Sequence, residues 1–501
     1  MLLTLAYLVA SAAAPQPSQP VSVVAIVPPV SDQPDVAWLG LSLADDLETR
    51  LLHHSIFDGD AVRDSFPVSV FGWRQMQSAA RQTGINLDAM LSAKDGARLG
   101  KAVGANAVFT ATYWLKSSSI RVMWRLVGDV ESKKRDVEID LGAIPQGVER
   151  IFASMLSDLG MTRVGVPFSP LPDLPASAFH DYGEALTILR EQSFDPRAQI
   201  VLGPRQLDEA YGLLDQATAA APLFQRAWAA RAMVSAMQGR LEVAAEEADQ
   251  AAQAAASDAP AVALAQFYVA CRRNDLDRAI LVLGRALNQH LGFTLGLGYL
   301  GQAYLQAKRF EEAVKLFTLY GTRVPNSPWV ATMRAEALAR AGHNDIARSE
   351  MEELLTRYPN SLVVIAGLAA RQADAWRYKE ARETLAKGVA LFPGNVGLVA
   401  RQAQVALDEG DFKLGLALAR KAAQGVDEER GEPMAGYAHL MLGRALALSG
   451  QKLEAFDAWR IAARLGVDPY ELRGILSDAR LADIVRDQRF SLSTLDRPAA
   501  R

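Results

Sequence analysis

The sequence predicts an α+β domain over residues 21–163 followed by an all-α superhelical solenoid of helical hairpins over residues 177–468. Three observations carry this. In the first third, β-branched runs alternate with stretches whose leucines recur at helical spacing. In the remainder, small residues return at an almost constant interval. Between them, residues 164–176 hold Pro167, Pro170, Pro172 and Pro175. That density of proline forbids a helix or a central strand and predicts an extended, semi-stiff linker.

The elements follow in order. Residues 2–10 are apolar, Ala12, Ala13 and Ala14 are small, and a polar, proline-rich stretch follows. Residues 1–20 thus resemble a secretory signal peptide, although no Lys or Arg precedes the apolar run and Pro15 follows Ala14 directly. The run is too short to span a bilayer. No cysteine follows it, which excludes a lipid anchor there. The expectation is export to the periplasm or beyond, with a cytoplasmic protein as the alternative.

Residues 21–29, VSVVAIVPP, read as a buried strand stopped by proline. Leu39, Leu41, Leu43, Leu47, Leu51 and Leu52 predict a helix over 35–53. FPVSVFGW at 66–73 reads as a second strand, and 74–83 and 91–103 read as helices. Strands follow at 107–115, 120–129 and 135–141, joined by the short polar stretches Lys116–Ser119 and Glu131–Lys134 as hairpins are. A helix over 145–160 closes the domain.

The segments VVAIVPPVSD, LGLSLADDLETRLL, DGARLGKAVGANAVFTATY and IRVMWRLVGDVESKKRDVEI together resemble the N-terminal domain of TolB and its relatives. The resemblance covers most of 21–141. It departs at Pro29, where that family carries Phe, and at the Trp that often closes the family's hairpin. It implies a non-enzymatic α+β domain used for protein contacts, often in cell-envelope proteins.

In the second region the small residues are Ala210, Ala244, Ala279, Ala313, Ala347, Ala381, Gly415 and Ala455, at gaps of 34, 35, 34, 34, 34, 34 and 40. Pro325, Pro359 and Pro393 keep the same step, each suited to end a second helix. The most regular copy is TLGLGYLGQAYLQAKRFEEAVKLFTLYGTRVPNS, residues 294–327. Gly301 and Ala313 allow close approach of its two helices, and Tyr304 and Phe317 fill the space beside them. Trp228, Met351, Leu385 and Trp459 take similar filling roles. These features resemble the tetratricopeptide repeat. About eight repeats are expected, with insertions near 191–204 and at DEERGEP. Capping helices over 469–495 and a tail over 496–501 complete the chain.

Stacked repeats of this type imply an inner face lined by the first helix of each pair. By position that face includes Arg226, Met233, Met237, Tyr268, Arg272, Gln302, Gln306, Trp329, Glu336, Arg340, Gln404, Tyr437 and Arg444. Aromatic, Met and Arg side chains suit partner anchoring. The Asn and Lys pattern that such repeats use to clamp a C-terminal carboxylate is absent from these slots. A protein or peptide in the groove and a second protein on the N-terminal domain are the expected partners.

Other chemistry finds little footing. Net charge is −4, spread evenly along the chain, so nucleic acid is not an expected partner. No later run reads as a transmembrane helix. Cys271 is the single cysteine, expected to be a buried, inert thiol. Gly296, Gly298 and Gly301 spell G-x-G-x-x-G but lie inside a repeat, so no dinucleotide or other cofactor is expected. His53, His54, His180, His290, His343 and His439 read as solvated or capping, with no metal set. No catalytic elbow or phosphate loop occurs. Asp45–Asp46 and Asp427–Glu429 read as solvated acidic faces. The function expected is a non-enzymatic scaffold, with a cytoplasmic regulatory adaptor or an enzyme with an unrecognised site in the first domain as alternatives.

Overall fold

The computed structural model describes residues 23–54, 69–130, 132–160, 174–192, 202–254, 260–290, 293–325, 327–426, 434–465, 467 and 469–485. The leader, the turn residue Glu131, most of the linker, the first insertion over 193–201, the acidic run Asp427–Glu429 and residues 486–501 lie outside the described residues.

Five strands form one mixed sheet: β1 (Val23–Ile26), β2 (Ser69–Phe71), β3 (Ala107–Lys116), β4 (Ser119–Gly128) and β5 (Arg135–Asp140). Their order is β2-β1-β3-β4-β5. β1 runs parallel to both neighbours, with Val24 opposite Val70 and Ala107. β3 and β4 pair antiparallel from Ala107↔Gly128 to Lys116↔Ser119 around a tight turn, where Ser117 takes φ 48°. β5 forms the far edge and carries Arg135, Asp136, Glu138 and Asp140. Charged side chains on an edge discourage further strand pairing.

Four helices clothe the sheet: α1 (Trp38–His54), α2 (Trp73–Thr83), α3 (Ala93–Val103) and α4 (Ile144–Asp158). Pleat alternation assigns them to faces. Gly96 and Gly100 of α3 lie against Val127 and Val108, which are paired in register. Gly147 of α4 lies against Ile139, on the opposite face. Tyr113 shares that second face and fixes α1 there. Its hydroxyl donates to the Val36 carbonyl at 2.6 Å, and the Gly40 amide donates to it at 3.2 Å. Burial pushes the Tyr113 phenol above its ordinary range, against a smaller lowering by the Gly40 amide. A Cβ at Gly40 would run into the Pro29 carbonyl, so glycine is required where α1 crosses the end of β1.

Eight helical hairpins follow. The first helices are α5 (Ala176–Ile188), α7 (Gln225–Met237), α9 (Pro260–Arg272), α11 (Thr294–Gln306), α13 (Pro328–Arg340), α15 (Leu362–Asp374), α17 (Val396–Glu409) and α19 (Ala435–Leu448). The second helices are α6 (Pro204–Ala220), α8 (Leu241–Ala254), α10 (Leu276–Gln289), α12 (Phe310–Arg323), α14 (Asn344–Arg357), α16 (Tyr378–Leu391), α18 (Phe412–Gln424) and α20 (Lys452–Arg464). Each periodic small residue sits in a second helix. The seven alanines of that series are 0 % exposed. Bulk there would force the helix pair apart. Phe317, Met351, Leu385 and Trp459 are buried beside them, as their slots require.

The turn inside each hairpin from the second onward needs a left-handed residue, the usual way to end a helix. Gly239, Gly342, Gly410 and Gly450 supply it at φ 78–93°, Asn274 at φ 60°, and Lys308 and Trp376 at φ 57° and 61°. Pro325, Pro359 and Pro393 each fall two residues past the end of a second helix.

α21 (Pro469–Leu476) and α22 (Ala482–Val485) follow the last hairpin. Leu472, Leu476, Leu481 and Ile484 are buried in one cluster with Trp459, Phe456 and Met441. This covers apolar surface that a terminal repeat would otherwise expose.

The chain divides into two compact units. The first comprises Met1–Glu191 and Gly203–Ala337, so the sheet and the early hairpins belong to one body. The second comprises Gln192–Leu202 and Leu338–Arg501.

Candidate functional site: the face of the first helices

In the first unit, the face built from α5, α7, α9 and α11 is covered by the chain's own sheet domain. α1 packs along α5 and touches α9, while β2 meets α11. α1 and α5 approach through Gly183, where a Cβ would strike Ser42 Oγ and the Trp38 ring. Trp38 also meets Phe179 edge-on at 6.1 Å and the His180 ring at 4.9 Å.

Charge completes the contact. Arg226 on α7 is 3 % exposed and donates to Asp45 at 2.7 Å and to Asp46 at 3.1 Å. The Tyr182 hydroxyl donates to Asp45 at 2.9 Å. Arg50 donates to Asp46 at 3.0 Å, to the Pro145 carbonyl at 3.0 Å, and pairs with Glu149. The Arg226 guanidinium also lies over the Tyr182 and Phe224 rings, at 5.9 and 5.8 Å. Burial alone would lower the Arg226 pKa; Asp45, Asp46 and Tyr182 more than reverse this and hold it above its ordinary value.

The structure departs from several expectations of the sequence. Asp45 and Asp46 are not a solvated face: they are 7 % and 0 % exposed. A buried carboxylate must be paired, and Arg50 and Arg226 pair them. Arg226, expected to contact a partner, is engaged inside the unit. Met233, Met237, Tyr268 and Gln302 are buried too, and Gln302 Nε2 lies 3.7 Å from Met333 Sδ. Arg272 and Gln306 are half-buried. Trp329 is half-buried against the Tyr320 ring at 5.9 Å, Glu336 is half-buried, and Arg340 is exposed. His439 is buried rather than solvated, His290 is buried at the C-cap of α10, His343 stands at the N-cap of α14, and Cys271 is half-buried.

The second unit keeps part of its face open. On α15, Val363, Ala366, Gly367, Ala370 and Ala373 are all partly exposed, at the spacing of one helical stripe. On the neighbouring hairpins, the Tyr437 hydroxyl donates to Gln404 Oε1 at 2.5 Å, bringing two of the expected residues together. The Arg401 guanidinium stacks over the Tyr437 ring at 5.7 Å. Arg401 was not singled out from sequence; its place three residues before Gln404, one turn along the same helix face, is the signal that marks it. Arg444 is drawn away from this group. It bridges Asp408 at 2.7 Å and Asp478 at 3.1 Å. Arg480 also holds Asp478 and donates to the Leu407 carbonyl at 3.2 Å. Arg480 and Arg444 keep the Asp478 carboxyl well below the usual carboxylate range.

Gly296, Gly298 and Gly301 lie within α11. A Cβ on Gly301 would stand 2.7 Å from the Phe317 ring, and one on Gly298 would stand 2.9 Å from the Tyr320 ring. Their absence of side chain serves packing. Among the described residues, no three or more His, Cys, Asp or Glu side chains converge as a metal set. No helix among them is long and apolar enough to cross a membrane.

Residues 197–260 and 264–328 match the tetratricopeptide repeat family. No curated protein matches the sequence. Solved structures similar to this chain include a tetratricopeptide repeat protein from Parabacteroides merdae, at 14 % identity over 60 % of this chain and 98 % of that one, TM-score 0.37. Yeast Tom70 is similar at 14 % identity over 69 % and 77 %, TM-score 0.43. PilW, a type IV pilus biogenesis factor, is similar at 13 % identity over 46 % and 100 %, TM-score 0.32.

Proposed function

We propose that this chain, a tetratricopeptide-repeat protein, is a non-catalytic scaffold of a bacterial cell envelope that holds a protein or peptide partner on the first-helix face of its second unit. The observation that carries the reading is the contrast between two stretches of one array. Arg226 is buried against Asp45 and Asp46, whereas Arg401, Gln404 and Tyr437 stand half-exposed beside the open stripe of α15. A small-residue floor admits a backbone closely. A rigid Tyr, an adjacent Arg and a Gln amide supply anchoring chemistry at its rim.

The envelope assignment rests on the signal-like residues 1–20 and on the resemblance of 21–141 to TolB-type domains. The sheet domain then offers a second partner the surface that the early hairpins leave uncovered.

Two experiments test this. Immobilised full-length protein is challenged with native envelope extract, beside the Arg401→Ala/Tyr437→Ala variant. At least one protein retained about tenfold better by the wild type is expected, on the order of the 1.4 kcal/mol that one modest anchor contributes. Identical retention by both proteins removes the proposed face. Separately, residues 1–20 are fused to a reporter active only outside the cytoplasm; a silent reporter removes the envelope assignment.

A further inference from the structure

The covered face of the first unit has a ligand, and the ligand is a helix of the chain itself. Among what α1 offers to the hairpins is a recognisable pattern: an aromatic residue, Trp38, on α5; a small residue, Ser42, against Gly183; and two adjacent carboxylates, Asp45 and Asp46, taken by Arg226, with Thr49 at 3.4 Å from the same guanidinium. On the receiving side, the charged group is a single guanidinium whose planar fork divides between two carboxylates. Between α4 and α5 the sequence over residues 159–175 holds four prolines.

We infer that the first-helix face of hairpins one to three is a recognition surface for an amphipathic helix bearing an adjacent acidic pair, that α1 occupies it in cis, and that a partner helix of the same pattern exchanges with it. This rests on the scaffold reading but concerns a different surface from Arg401 and Tyr437. The occupant's chemistry follows from complementarity. A basic or neutral helix would leave Arg226 buried without a counter-charge, which disfavours it strongly. Tethering gives α1 an effective concentration near the millimolar range, so a free helix competes poorly until the cis contact is weakened.

The probe is a fluorescein-labelled peptide of residues 38–54, read by anisotropy against three full-length proteins. Wild type is expected to bind it weakly. Asp45→Asn/Asp46→Asn, which weakens the cis helix and leaves the receiving face intact, is expected to bind at least tenfold tighter. Adding Arg226→Ala to that variant is expected to return the affinity to the wild-type level. A peptide carrying Lys at both acidic positions is expected not to gain. Equal binding by wild type and the double variant overturns the inference, as does a gain that survives Arg226→Ala. Where circular dichroism shows the double variant unfolded, Ser42→Phe, wedged against Gly183, replaces it with the same expected gain. Loss of extract binding by Arg401→Ala/Tyr437→Ala bears only on the second unit, so the two readings fail separately.

Discussion

Arg226→Ala offers a sharp perturbation of the first unit. The substitution removes the cation shared by Asp45 and Asp46 and leaves their buried carboxylates with Arg50 and the Tyr182 hydroxyl. Breaking a buried pair by deleting one partner costs about 3–5 kcal/mol, because the remaining charge is stranded. Arg50 still holds Asp46 at 3.0 Å, so the lower end, about 3 kcal/mol, is expected. The chain is too large for one cooperative transition, so a global melting temperature is a blunt readout. Amide hydrogen exchange of peptides spanning 38–54 and 176–188 reads the local opening instead. At 1.4 kcal/mol per tenfold, exchange there should quicken by about 10²-fold. Arg348→Ala, which removes exposed pairs to Asp345 and Glu352, is the control and should change exchange by less than about fivefold. If residues 38–54 exchange at the wild-type rate in Arg226→Ala, the network does not hold the helix, and the account of the covered face falls with it.

Further perturbations discriminate other parts of the argument. Gly301→Ala and Gly284→Ala are both glycine-to-alanine changes inside repeat helices, and they should have opposite signs. Gly301 faces the Phe317 ring at 2.7 Å and should lose about 1–3 kcal/mol, whereas Gly284 meets nothing within 4 Å and should gain about 0.5–1 kcal/mol, both read from denaturant midpoints. Trp376→Gly should stabilise the second unit by up to about 1 kcal/mol, since this 79 % exposed residue sits at φ 61° where other hairpins carry glycine. Asp478→Asn should speed exchange in 469–485 at neutral pH. Because Arg480 and Arg444 depress the folded pKa of Asp478, its contribution is complete above the unfolded value near ~4 and fades as pH falls through the folded one. The difference from wild type should therefore shrink with acidification, and a difference that grows would contradict the assignment.

The fold was legible because scaffold positions repeat. Ala210, Ala244 and their successors must be small in every hairpin, whatever the hairpin binds, so their spacing survives in the sequence. The strands were legible for a similar reason: β3 and β4 are rich in β-branched and aromatic residues and lie between short polar turns. The face positions carry no such period. Arg226 and Tyr437 both stand in the first turn of their helices, yet one is buried against carboxylates 180 and 181 residues away and the other pairs with Gln404. Nothing local distinguishes them. A clue did lie in α1 itself. Leu39, Leu41, Leu43, Leu47, Leu51 and Leu52 cover more than half the turn of the helix, and all are buried. A helix apolar over that arc is enclosed by its neighbours, so Asp45 and Asp46 had to find cations somewhere. What the pattern could not name was which of the 53 Lys and Arg residues would answer.

That separation between scaffold and face also says how one repeat sequence would support the two proposed uses. Nesting of the helices depends on small side chains in the second helix and aromatic or aliphatic fillers beside them, and these positions are spent on stability. The outward positions of the first helix are left free, so each hairpin can present a different group without disturbing its neighbour's packing. In hairpins two to four those groups are an arginine and buried Met, Tyr and Gln, and the arginine takes the two carboxylates of α1. On α15 they are Val, Ala and Gly, which accept a close backbone, with charge entering at the end of the helix in the Arg371–Asp374 pair. The proposed polar anchors stand on the next two hairpins, at Arg401, Gln404 and Tyr437. A partner there must therefore bring its own bulk to the small-residue floor and its polar groups to the rim, which is the reverse of α1, whose charges lie mid-helix. One peptide cannot satisfy both surfaces well. A ligand selected on the Arg401–Tyr437 face should leave exchange in residues 38–54 unchanged, and a ligand that accelerates exchange there should bind equally well to Arg401→Ala/Tyr437→Ala.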